Sequence, residues 1–190
     1  AELKEGKGLY KYPAGNHRLE YETIGAFGVN CGNTNAEAIE MANHLCNSYG
    51  VDTISAGSII SFAIECYENG ILTKEDTDGI DLRWGNHQAM VAMTEKMVKR
   101  EGLGDILADG VKIAAEKIGK GSEAFAVHIG GQELGMHDPK LDGVGPHMPF
   151  AARYKMDASP GRHTQGFGPV NFLNLVMNSA GLCLMTSIFG

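Results

Sequence analysis

Two stretches share one pattern of chemically useful residues. Asn47-Ser48-Tyr49-Gly50-Val51-Asp52 and Asn178-Ser179-Ala180-Gly181-Leu182-Cys183 both read Asn-Ser-x-Gly-aliphatic-(Asp/Cys). Each follows an apolar stretch with helical spacing. A glycine there lets a helix stop in the left-handed conformation, which needs no ligand. The same pattern also suits a flat polar heterocycle. Glycine allows close backbone approach. An asparagine amide offers a ring edge both a donor and an acceptor. The final Asp52 or Cys183 sits beyond the turn. Other familiar chemistry is missing: there is no phosphate-binding Walker loop, no G-x-S-x-G and no H-E-x-x-H. Cys31, Cys46, Cys66 and Cys183 have no C-x-x-C spacing, so reduced thiols in a cytoplasmic chain are expected. Glu40 and His44 lie one helical turn apart, a spacing that could hold a metal but more simply forms a solvated ion pair. The run Lys74–Asp81 is acidic, but its glycine falls too early for a calcium loop.

The elements that must position these residues are mainly helices. Apolar periodicity and punctuation place helices near 36–49, 54–69, 87–101, 105–118 and 170–180. Thr34 or Asn35 caps the first, Thr53 or Ser55 opens the second, Asn86 the third and Asp105 the fourth. Phe125, Val127 and Ile129 alternate like a short strand, followed by a region rich in Pro and Gly. The fold class is therefore mainly α, in two parts: 1–126, a helical domain, and 127–190, a loop-rich block that begins a second helical domain.

Composition narrows the function. The chain has 190 residues, 43% hydrophobic and 21% charged, with a net charge of −7. That is enough apolar material for a real core and the wrong sign for a nucleic-acid surface. No apolar run is long enough to span a membrane. The first residues lack a signal-peptide pattern, and both termini read as cuts from a longer polypeptide.

The paired turns resemble the D-x-x-G-L-(D/C) pterin motifs of the tungsten- and molybdenum-dependent aldehyde ferredoxin oxidoreductase family. Tyr21-Glu22-Thr23 through Cys31-Gly32 is similar to that family's Y-E-T segment, and Leu45-Cys46-Asn47 through Asp52-Thr53-Ile54-Ser55 to its L-C-N-D-x-G-L-D-T-I-S. Thr73–Gly79, Trp84-Gly85, Arg100-Glu101-Gly102 and His137-Asp138-Pro139 follow in the family's order. The resemblance implies part of the second and the start of the third helical domain, without the β-rich base domain. It implies a tungsten or molybdenum bis-pterin cofactor beside a [4Fe–4S] cluster. Asn47, Gly50 and Asp52 then match the first pterin motif. Asn178, Gly181, Leu182 and Cys183 match the second. Cys183 also matches the fourth cluster thiolate, the other three belonging to a C-x-x-C-x-x-x-C run absent here. Glu22 and His163 match catalytic residues near the metal.

The implied activity is oxidation of an aldehyde to its acid, with ferredoxin taking the electrons. The alternatives are another reaction on the same scaffold, such as aryl-CoA reduction, or a helical scaffold inert without the base domain. Expected partners are ferredoxin, an aldehyde, the remainder of the parent chain and, as an option, a second copy in a homodimer. The isolated piece is expected to hold neither tungsten nor cluster. Both motifs carry Asn where the family commonly has Asp, so the pterin contact is expected to be weaker or differently arranged. The segment between His163 and Cys183 also looks shorter than usual, which bears on the substrate pocket.

Overall fold

The computed structural model describes residues 4–16, 18–136, 161–162, 176–177 and 179–181. These fall in two units, Ala1–Met136 and His137–Gly190. The first unit contains α1 (Tyr21–Ile24), α2 (Ala36–Tyr49), α3 (Thr53–Glu68), α4 (His87–Lys99), α5 (Leu103–Leu107) and α6 (Val111–Ile118). A two-stranded antiparallel hairpin, β1 (His128–Ile129) with β2 (Gln132–Glu133), follows. The class is mainly α, as the sequence implies.

Helix α2 begins and ends where local chemistry dictates. The Asn35 side chain accepts from Ala38 N at 3.0 Å, satisfying one of the donors orphaned at a helix start. Gly50, at φ 71°, ends the helix in the left-handed region. Its inner face buries Ala38, Ile39, Ala42, Leu45 and Cys46. Helix α3 is apolar around most of its circumference because it is the central helix. It buries Ile59, Ile60, Phe62, Ala63 and Ile64 and packs against α1, α2, α4, α5 and α6.

Helix α1 runs straight into a five-residue π-helix, Gly25–Val29, to which the sequence pattern assigned no element. Phe27 there is fully buried. The segment lies against α3 only because Gly57 has no side chain. A Cβ at Gly57 would stand 2.5 Å from Ala26 Cβ and 2.7 Å from Ala26 C.

Several boundaries differ from the sequence expectation. Asp52, not Thr53 or Ser55, caps α3: its Oδ2 accepts from Ser55 N at 2.8 Å. The helix expected over 105–118 is two helices. The chain turns at Ala108–Gly110, where Gly110 takes φ 93°. Gly110 offers no side chain to cap α6. The carboxylate of Glu133 does so from a distance, with Oε1 accepting from Val111 N at 2.6 Å. The alternating stretch at 125–129 is not one strand. Ser122–Phe125 is a 3₁₀ turn, and only His128–Ile129 pairs, with Gln132–Glu133. This hairpin keeps residues 127–136 with the first unit, against α3 and α6. The helix expected over 170–180 is described only at residues 176–177 and 179, turning at Ala180 and Gly181. Among the described residues no helix is long and apolar enough to cross a membrane.

Candidate functional site: the helix-end turn at 47–52

The first motif sits at the junction of α2 and α3. Val51 N donates to Cys46 O at 2.8 Å and Gly50 N to Asn47 O at 3.4 Å, closing the turn. Among the described residues a Cβ at Gly50 would meet nothing within 4 Å, so the turn is open at that glycine. Asn47 is exposed at the end of α2. Its Nδ2 donates to Asn43 O at 2.8 Å and to Asn43 Oδ1 at 2.9 Å. Asp52 has one carboxylate oxygen committed to the α3 cap. It is thus a structural residue as well as a candidate ligand contact. A cavity of about 290 Å³ adjoins the same turn through Val51 and is lined also by Ser55, Ile59, Met97, Asp109 and Glu133.

Glu22 reaches this region through its neighbour. Thr23, 2% exposed, shares a 2.8 Å hydroxyl–hydroxyl hydrogen bond with Thr53. Thr23 adjoins Glu22 and Thr53 adjoins Asp52, so one part-buried bond couples the two candidates' elements. Glu22 is half-buried rather than a loose surface carboxylate. Its Oε2 accepts from Met136 N at 2.9 Å. Gly135 lets the chain pass close, since a Cβ there would lie 3.2 Å from both carboxylate oxygens.

Within the second unit, Gly181 takes φ 71°, matching Gly50, and among the described residues a Cβ there would likewise meet nothing within 4 Å. Ala180 N donates to Val176 O and Met177 O, ending a helical turn. The two glycines therefore share a left-handed φ. Asn178, Leu182, Cys183 and His163 lie outside the described residues.

The three thiols among the described residues, Cys31, Cys46 and Cys66, are buried and unpaired with one another. Burial pushes Cys31, Cys46 and Cys66 up to about 12, with the Asp52 charge adding to Cys46 and the Glu65 charge to Cys66. Burial thus favours the protonated thiol over the thiolate at all three. Cys31 Sγ donates weakly to Ala26 O. No group of three His, Cys, Asp or Glu side chains that could hold a metal occurs among the described residues. The described residues thus fit a pterin edge, through Asn47, Gly50 and Asp52, but supply no ligand set for a cluster.

Glu40 and His44 do not form the solvated pair that their spacing suggested. Glu40 is 4% exposed, its carboxylate buried beside the Asn43 and Asn16 amides, and His44 Nδ1 pairs with Asn16 Oδ1 at 3.2 Å. Burial pushes the Glu40 carboxyl above its ordinary value, and the nearby Asn43 and Asn16 amides pull it only part of the way back. The native state therefore binds this proton more tightly than the unfolded chain. Stability falls as pH rises from about 4.5, the ordinary carboxyl value, through the raised one. Glu40→Gln is expected to be more stable than wild type at pH 8, the gap closing on acidification toward pH 4. Denaturant midpoints across that range check it, and a gap that widens on acidification refutes it.

Residues 2–187 match the family described as aldehyde ferredoxin oxidoreductase, domains 2 & 3. The chain belongs to the aldehyde ferredoxin oxidoreductase family. A tungsten-containing aldehyde ferredoxin oxidoreductase of Pyrococcus furiosus is 33% identical over 195 residues, covering 88% of this chain and 31% of that protein. One from Pyrococcus horikoshii is 41% identical over 124 residues, covering 64% of this chain and 20% of that protein. An aliphatic sulfonate oxidoreductase WOR-like subunit of P. furiosus is 40% identical over 122 residues, covering 62% and 19%. Among solved structures, the BamBC active-site complex of benzoyl coenzyme A reductase with 1,5-dienoyl-CoA is similar at a TM-score of 0.54 and 29% identity, covering 71% of this chain and 20% of that one. The chain thus spans 20–31% of the length of the aldehyde ferredoxin oxidoreductases it matches here. Membership agrees with the fold as found: mainly helical, with the first motif at a helix-end turn.

Sequence reasoning missed Asn43 and the Thr23–Thr53 pair. Asn43 had a local signal, since it stands four residues before Asn47 on one helix face. The threonine pair had none, because its members meet only through the packing of α1 on α3.

Proposed function

We propose that this chain is the helical, cofactor-covering part of a cytoplasmic tungsten- or molybdenum-pterin, iron–sulfur oxidoreductase that oxidises aldehydes to carboxylic acids with ferredoxin as acceptor. The observation that carries this reading is the open 47–52 turn, coupled through Thr23–Thr53 to the helix of Glu22, in a chain of this family. An aldehyde and one water give the acid, two electrons and two protons. When bound, the metal–pterin group supplies the acceptor for the electron pair, and an iron–sulfur cluster divides it into single electrons for ferredoxin. Asn47 and Asp52 hold one pterin edge, and Asn178, Gly181 and Leu182 serve the second. Glu22 or His163 takes the proton released as water adds to the carbonyl carbon. Met136 N–H fixes the Glu22 carboxylate for that task. Cys183 is the cluster ligand of this chain. The buried free thiols agree with a reducing compartment.

The similarity to a benzoyl coenzyme A reductase supports one second reading, an aryl-CoA reductase on the same scaffold. The test is anaerobic purification of the full-length protein. Tungsten or molybdenum, iron, sulfide and pterin should all be present, and aldehyde should drive ferredoxin reduction. Turnover with an aryl-CoA and none with aldehydes would favour the second reading. A full-length protein that carries no pterin after anaerobic purification and turns over neither substrate would reject both and leave a helical scaffold.

A further inference from the structure

Asn47 is exposed, yet its amide is not free to turn. Its two Nδ2 hydrogens are both used, on Asn43 O at 2.8 Å and Asn43 Oδ1 at 2.9 Å. Turning the amide over would set Asn47 Oδ1 against two oxygens. One of these is a backbone carbonyl, which cannot exchange roles. Asn43 is itself held: it is 5% exposed, and its amide also faces the Glu40 carboxyl, which it pulls toward the ordinary carboxyl value. No donor among the described residues reaches Asn47 Oδ1.

We propose that Asn43 is a positioning residue that locks the Asn47 amide so that only the acceptor, Oδ1, faces the ligand of the 47–52 turn. The turn then presents an acceptor at Asn47 and selects a heterocycle edge bearing N–H groups. This rests on the pterin reading above and deepens it. The ligand meets an oxygen, and the second atom of the amide is tied to the helix. Aspartate at this position would bring a carboxylate oxygen toward Asn43 O and Oδ1, three acceptors with no proton among them. Aspartate is therefore the wrong residue at 47 while Asn43 is present.

The experiment compares pterin loss from the anaerobically purified full-length protein during repeated gel filtration, read as the fluorescence of oxidised pterin. Asn47→Leu, Asn47→Asp, Asn43→Leu and the Asn43→Leu/Asn47→Asp double variant are compared with wild type, with thermal midpoints recorded for each. Asn47→Leu should speed pterin loss about tenfold, the effect of one lost contact. Asn47→Asp should speed it by a similar factor without lowering the thermal midpoint, because residue 47 is exposed. In the double variant the aspartate should lose less pterin than in the single one, since the Oδ1 that opposes it is gone. Retention by Asn47→Asp equal to or better than wild type, with Asn47→Leu impaired, overturns the positioning role and leaves the pterin reading intact. Unimpaired Asn47→Leu overturns both. Should Asn43→Leu fail to fold, Asn47→Asp against Asn47→Leu still decides.

Discussion

Gly57→Ala should destabilise the protein by about 1–3 kcal/mol, the usual cost of overpacking. Propensity alone argues the reverse, since alanine in a helix interior is favoured over glycine by about 1 kcal/mol. The packing decides. The new Cβ would stand 2.5 Å from Ala26 Cβ, 2.7 Å from Ala26 C and 3.0 Å from Phe27 N. Two of those three atoms are backbone, so no rotamer relieves the contact. The π-helical segment must move off α3, and with it α1, which carries Glu22. The Thr23–Thr53 bond across that same contact would lengthen or break. Stability and activity should therefore fall together, measured as a denaturant midpoint and as aldehyde-dependent ferredoxin reduction. A stabilised Gly57→Ala protein would show that the two elements are not held this closely.

That contact also marks where the sequence ceased to be readable. Helix α2 was legible to both ends because its signals are local: a capping Asn35, an apolar face, a terminal Gly50. The break between α5 and α6 was not, because the cap of α6 comes from Glu133, far along the chain. Gly104 hid a second packing demand. A Cβ there would lie 2.3 Å from the Lys96 backbone, which is how α5 nests on α4. The π-helix was invisible for the same reason, since Gly25, Ala26 and Gly28 look like loop residues until α3 is placed beside them. Within the candidate site, the turn at 47–52 was legible as a motif. Its wiring was not. Asp52 read as a residue aimed at a ligand, yet one of its oxygens caps α3. Asn47 read as donor and acceptor together, yet its donor is spent on Asn43.

Glu22→Gln should lower aldehyde oxidation by about 10²–10⁴-fold, the range for removing a general acid–base group, while leaving the fold in place. The carboxylate has two duties that this substitution separates. One is structural: Oε2 accepts the Met136 amide at 2.9 Å, and Gly135 passes close beneath it. A glutamine oxygen can accept that same N–H, so the contact survives. The other is the duty proposed above, to take a proton as water adds to the substrate, which a neutral amide cannot perform. Glu22→Ala removes both and leaves the Met136 N–H without its acceptor, adding about 1–3 kcal/mol of destabilisation to the loss of turnover. Three measurements on the full-length protein separate the duties: turnover, unfolding midpoint and pterin content. The glutamine variant should keep the last two and lose the first. If it turns over like wild type, Glu22 is a clasp for the 135–136 segment and the proton goes elsewhere. If it loses pterin as well, Glu22 acts through the cofactor pocket rather than on the substrate.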